Sequence, residues 1–294
     1  MTNIHRLRRC TFFILLMPMM VTVFGQSSIQ PRKCILVFGA HADDVESLAG
    51  GTIAKYISNG YEGIYVGVVN NLAGCSLNRT PYFNAPPFTV SDSPHEYPVD
   101  ALETSQIREE EAREAAAVLG AKPIFLYYDE PWFSMGRKQV DYGTDLYYQY
   151  DPPGRPTVGL STYLDDEVDF VFQLLKQYEP EIVIIHTLGG EKDDHGNSGY
   201  MMYQAFKKAM REHVSVGKLW MTVNGWLADS NAGKSGRGKP DVKIDIKDFL
   251  NIKYAAYDKH VSQNGGMGRE YVIRQKTRLN EGVEEFITVL DNNR

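Results

Sequence analysis

Four consecutive residues, His41-Ala42-Asp43-Asp44, put one imidazole and two carboxylates into a single short stretch. Imidazole nitrogen and carboxylate oxygen are ordinary ligands of a divalent metal, and a second carboxylate beside the metal can take a proton. A solvated turn more often uses Gly, Asn or Ser. The competing reading is a plain turn in which Asp43 or Asp44 caps a helix. A second concentration of such groups lies far along the chain. Thr187 to Asn197 reads TLGGEKDDHGN, with Lys192, Asp193, Asp194 and His195 side by side.

Both stretches follow apolar runs. Cys34 to Phe38 is an apolar segment bounded by Gly39, which reads as a buried strand, and Val45 to Ser58 has helical spacing and stops at Asn59-Gly60. The first cluster therefore lies between the carboxyl end of a strand and the amino end of a helix. Further strands are expected at Ile64–Val69, Ile124–Tyr127, Glu181–His186, Leu219–Val223 and Val242–Ile246. Helices are expected near 105–119, ending at Gly120, and at 163–178, 198–213 and 249–260. Strands alternating with helices imply an α/β, three-layer Rossmann-like fold with a mainly parallel sheet. Two long irregular inserts follow strands 2 and 3. In the doubly wound order 3-2-1-4-5 the first and fourth strands are neighbours, and ligands bind in the crevice at that switch point. Two histidines and up to two carboxylates then converge on a His₂-carboxylate zinc site with one position open for water.

The remaining features bound the answer. Arg6, Arg8 and Arg9 precede the apolar run Phe12–Phe24, followed by Gly25-Gln26. This is the pattern of a secretory signal peptide over residues 1–25, leaving 26–294 as a single domain. The expectation is a secreted or periplasmic protein with no stable membrane insertion after cleavage. Net charge is −6, and loss of those three arginines takes it to about −9, which argues against a nucleic-acid partner. Cys10 leaves with the signal. A disulfide between Cys34 and Cys75 stays open, and neither has a CxxC neighbour.

The sequence resembles the PIG-L/LmbE-like zinc-dependent de-N-acetylases. Ala40 to Glu46 reads AHADDVE, similar to that family's AHPDD-x-E motif with Ala42 in place of Pro. Arg108, Glu111 and Leu119-Gly120 resemble its R-x-x-E…LG helix, and Asp245, Asp248, Lys253, Ala256, His260, Ser262 and Gln263 its C-terminal segment. The resemblance implies one Zn²⁺ held by His41, Asp44 and His195, with Asp43 as general base towards a zinc-activated water. It departs at Lys192, which stands where the family has a histidine. Lys192 would then be the oxyanion donor, with Asp194 orienting it. Arg108 and Asp129 would bind substrate hydroxyls or brace the site. The implied substrate is an N-acetylated, GlcNAc-like amino sugar or glycoconjugate.

Blander roles compete at several positions. Arg108 and Glu111 fit an i,i+3 surface pair. His186 fits a buried strand end behind the site, His95 and His213 solvated positions, and His260 a supporting rather than ligating role. Loop aromatics such as Tyr82, Trp132 and Tyr147 suit either a sugar-stacking cleft or packing of the inserts. Two other functions stay open: a carbohydrate-binding protein that keeps the fold, and another metal-dependent hydrolase. The oligomeric state is not readable.

Overall fold

The computed structural model describes residues 33–71, 101–129, 133–135, 138–140, 155–157, 164–186, 188, 194–223, 239–264 and 282–293. Strand β1 (Cys34–Gly39) runs into helix α1 (Asp44–Ser58), then β2 (Glu62–Val69), α2 (Ala101–Leu119) and β3 (Lys122–Asp129). Short strands β4 (Phe133–Met135), β5 (Lys138–Val140) and β6 (Arg155–Thr157) follow. Next come α3 (Asp165–Tyr178), β7 (Ile182–Ile185), α4 (Asp194–Arg211) and β8 (Lys218–Thr222). The chain continues through β9 (Val242–Asp245), a 3₁₀ turn (Lys247–Phe249), α5 (Leu250–Tyr257), α6 (Val261–Asn264) and β10 (Val283–Asp291).

The main sheet has the order β6-β3-β2-β1-β7-β8-β10-β9. Strands β6 through β8 pair in parallel, and β10 lies antiparallel to both β8 and β9. This is the expected three-layer α/β arrangement. Side chains alternate across it as a strand's period of two requires. Cys34, Leu36 and Phe38 pack with Val171 and Leu175 of α3 and Phe206 of α4. Ile35 and Val37 pack on the other face with Val45 and Ile53 of α1 and Ala112 of α2. Both faces of β1 are therefore buried, which is why it reads as an unbroken apolar run.

Three differences from the sequence reading have physical causes. The insert after β3 is not wholly irregular, because β6 pairs with the end of β3; a three-residue strand is too short for periodicity to register. Strand β10 was not expected, since Glu284 and Glu285 interrupt its apolar pattern, and both turn out to be buried. The expected helix 249–260 is shorter, α5 over Leu250–Tyr257, entered from a 3₁₀ turn and followed by the separate α6. Among the described residues no helix is long and apolar enough to cross a membrane.

Helix α1 is broken. Ala49 has φ −146° and ψ 18°, outside helical geometry, so amides beyond it lose their helical acceptors. Glu284 from β10 replaces them: Gly51 N–H donates to its Oε1 (3.1 Å) and Thr52 N–H to its Oε2 (2.7 Å). Lys253 Nζ donates to Ser47 O (3.0 Å), on the other side of the break, and to Glu284 Oε1 (2.5 Å). A side chain at position 51 would strike Ile246, so glycine is required where the C-terminal segment crosses the helix.

Candidate metal centre

The site lies at the carboxyl ends of β1, β2, β3 and β7, the crevice expected for this topology. Gly39 ends β1, and a Cβ there would stand 3.0 Å from both Asp44 Cβ and Val45 Cγ2, so its absence lets the turn fold back tightly. Asn71, at the end of β2, has the left-handed φ of 55° that Asn tolerates. Its Oδ1 accepts from Ala42 N–H (3.0 Å) and its Nδ2 donates to Val69 O (3.0 Å), fixing the turn to the sheet.

His41, Asp44 and His195 converge, with candidate ligand atoms all within 4.8 Å of one another. His41 Nδ1 is 3.5 Å from Asp44 Oδ2, and His195 Nε2 is 3.5 Å from Asp44 Oδ1. Two ligands of a tetrahedral zinc at ~2.0–2.2 Å stand about 3.3–3.6 Å apart; the donor set suits such an ion, and the three groups, spanning up to 4.8 Å, need to draw in slightly to hold it. The other nitrogen of His41, Nε2, is 3.3 Å from Asp194 Oδ2. A carboxylate behind a ligating imidazole fixes its tautomer and leaves the opposite nitrogen for the metal. Asp194 Oδ1 is buried with no hydrogen-bond partner among the described residues.

Asp44 is buried, which by itself would raise its pKa, but His186 and His195 outweigh burial and hold the carboxyl well below its usual range. Burial works against charging His41 too, yet the hydrogen bonds to Asp194 and Asp44 prevail and raise it to about 9. His186 is lowered, chiefly by burial, with Asp44 opposing.

Asp43 occupies the N-cap position of α1 but makes no side-chain capping bond. Its Oδ1 instead accepts from Arg108 Nη2 (3.3 Å). Arg108 is buried, so the surface-pair reading of Arg108 with Glu111 does not hold. Glu111 accepts from Ser262 N–H (2.7 Å) and Ser262 Oγ (2.6 Å), tying α2 to α6. Asp129 is fully buried at the end of β3 and accepts from Asn70 Nδ2. A bulge opposite Val68, with Tyr127 at φ 57°, turns the strand so that both Tyr128 and Asp129 face inward.

Comparison with known proteins fits this geometry. The profile of the PIG-L family, GlcNAc-PI de-N-acetylase, matches residues 36–206. The chain belongs to the PIG-L family. Three solved structures are similar to it. One is GalB, the 4-carboxy-2-hydroxymuconate hydratase of Pseudomonas putida KT2440: TM-score 0.57, 20% identity, over 88% of this chain and 96% of that one. The second is the N,N'-diacetylchitobiose deacetylase of Pyrococcus horikoshii: TM-score 0.57, 18% identity, over 89% and 85%. The third is Dbv21, the A40926 pseudoaglycone deacetylase: TM-score 0.56, 17% identity, over 87% and 96%. At these identities the likeness is one of fold.

Further groups brace the site, and of these His260 and Glu284 lie beyond the PIG-L match. His260 lies away from the metal cluster, fully buried, with Nε2 3.3 Å from Glu46 Oε1. Tyr65 Oη donates to Ala42 O (3.2 Å) and Glu46 Oε2 (3.3 Å) beneath the turn. Asn70, Asn71 and Glu284 were not singled out from sequence; the one available signal was a pair of polar residues directly after the apolar run of β2. His213 is exposed, as expected. Lys192, His95, Cys75, the segment 1–25 and the loop aromatics named above, Tyr82, Trp132 and Tyr147, lie outside the described residues. Cys34 is buried on β1, and burial pushes its thiol up to about 12.

Proposed function

We propose that this protein is an exported, metal-dependent de-N-acetylase that releases acetate from a GlcNAc-like amino sugar or glycoconjugate. The observation that carries the reading is the convergence of His41, Asp44 and His195 with a second carboxylate, Asp43, outside the ligand set and in the same turn. A binding protein has no need of a base next to a metal. A divalent ion such as Zn²⁺, when bound, would supply Lewis acidity to the amide carbonyl and to the attacking water. His41, Asp44 and His195 hold it, and Asp194 fixes the imidazole of His41. Asp43 takes one proton of the water and passes it to the departing amine nitrogen, and the proton left on the new carboxyl group goes to the same nitrogen, so acetate and the ammonium form of the amino sugar leave with no net proton on the enzyme. Arg108 keeps Asp43 aimed. Lys192 is assigned as donor to the developing oxyanion.

The deciding experiment is a screen of the zinc-loaded protein against N-acetylated sugars and glycoconjugates, reading free amine release. Turnover that disappears with chelator and returns with added zinc is the expected result. Acetylated sugars that bind without releasing amine would replace this reading with a carbohydrate-binding one. The same frame carries a hydratase in GalB, so hydration of an unsaturated acid belongs in the screen as the contrary outcome.

A further inference from the structure

His186 has no part in the three-ligand set, yet it adjoins it. It follows directly on β7, the neighbour of β1, and its ring stands 4.7 Å from that of His195. Its Nε2 is 3.1 Å from Asp44 Oδ2, but off the line of a hydrogen bond, and it has no hydrogen-bond partner among the described residues. The residue is 3% exposed. A buried ring nitrogen that faces a carboxylate at 3.1 Å without an aligned hydrogen bond is costly, and native proteins seldom tolerate such a misfit without a functional cause.

The two oxygens of Asp44 have different surroundings. Oδ2 accepts the backbone N–H of His41 (2.6 Å) and faces His186, whereas Oδ1 faces His195 Nε2 (3.5 Å). A carboxylate gripped on one oxygen presents the other as a single ligand atom. We infer that His186 is a positioning residue of the metal centre, donating from Nε2 to Asp44 Oδ2 and so presenting Oδ1 to the metal. This inference rests on the metal reading proposed above. A small turn of the Asp44 carboxylate towards an entering ion lines up the 3.1 Å contact. The partnerless nitrogen is then satisfied only in the metal-bound protein, so His186 couples its own hydrogen bond to metal capture. Hydrogen-bonding partners behind metal ligands typically change affinity by about 10–100-fold.

The test compares wild type with His186→Leu and His186→Gln, the second placing an amide N–H near the position of Nε2. Zinc affinity is measured by competition with a chromophoric chelator, and the unfolding midpoint of each metal-free protein is recorded. His186→Leu is expected to weaken zinc binding about 10–100-fold, with the metal-free midpoint recorded separately because the variant also takes a neighbour from the buried Asp44 carboxylate. His186→Gln is expected to retain affinity within a few-fold. X-ray absorption of the zinc-loaded wild type is expected to count two imidazoles. Equal zinc affinity in wild type and His186→Leu overturns the inference alone. A loss shared equally by Leu and Gln, or a count of three imidazoles, overturns it by making His186 a ligand or a packing residue. Wild type that captures no divalent ion overturns the metal reading and this inference together.

Discussion

Asp43 and Asp44 are adjacent acids in different surroundings, which is why the proposal gives them separate tasks. Asp44 meets His41, His186 and His195, while Asp43 meets the guanidinium of Arg108. Replacing Asp43 by Asn keeps the shape and the Arg108 contact but removes the base. Turnover is expected to fall at least ~10²-fold, the contribution of a general base, with zinc content by elemental analysis unchanged. Lys192→Ala is expected to lower kcat with little change in KM, since an oxyanion donor acts mainly in the transition state. Equal turnover in both variants and wild type would remove the mechanism. The convergence of His41, Asp44 and His195 was readable from sequence because His41 and Asp44 lie within four residues and the switch-point rule brings His195 to them. Nothing in the residue order pointed to the contact of Asp194 with His41, since it depends on how α4 enters the crevice. Nor did it place Arg108 on Asp43, a contact made across 65 residues.

The element on which the site depends most is α1, and its weak point is the break at Ala49. The buried Lys253–Glu284 pair satisfies the groups on both sides of that break. Lys253→Met leaves Glu284 buried without its cation and is expected to cost about 3–5 kcal/mol, measured by chemical denaturation. The double variant Lys253→Met/Glu284→Gln is expected to recover part of that loss, because the amides of Gly51 and Thr52 keep a neutral acceptor. The sign of the pH dependence follows from Lys253. Burial lowers its pKa from 10.5, with Glu284 opposing. Between the lowered folded value and 10.5 the unfolded chain binds more protons, so stability from this site rises with pH and is lost as pH falls through the folded value. Lys253→Met should flatten the stability curve in that window, and a variant with the wild-type slope would refute the assignment. The pair was not visible in the sequence: Lys253 matched a family position, but its partner Glu284 lies 31 residues on, in a strand whose acids look like surface residues.

At the scale of the molecule, the order β3-β2-β1-β7-β8 followed from alternating apolar runs and helical segments, since parallel strands need helical crossovers and these have one hand. The antiparallel edge of β10 and β9 did not follow, because its acids disguise buried positions. The N-terminal segment poses a separate question that chemistry can answer. Phe12 to Phe24 spans roughly 20 Å as a helix, short of the ~30 Å hydrocarbon layer. With arginines before it and Gly25 after it, the segment suits transient recognition and removal better than a permanent anchor. Under the export proposal, N-terminal sequencing of protein from native cells is expected to begin close to Gln26. The mature chain should focus at lower pH than the precursor, having lost Arg6, Arg8 and Arg9 and no acid. Export also bears on the substrate, because acetylated glycans outside the cytoplasm are then the ones within reach. A full-length product confined to the cytosol would end that proposal and turn the search to soluble intracellular amino sugars, while leaving the metal centre and its predicted chemistry as they stand.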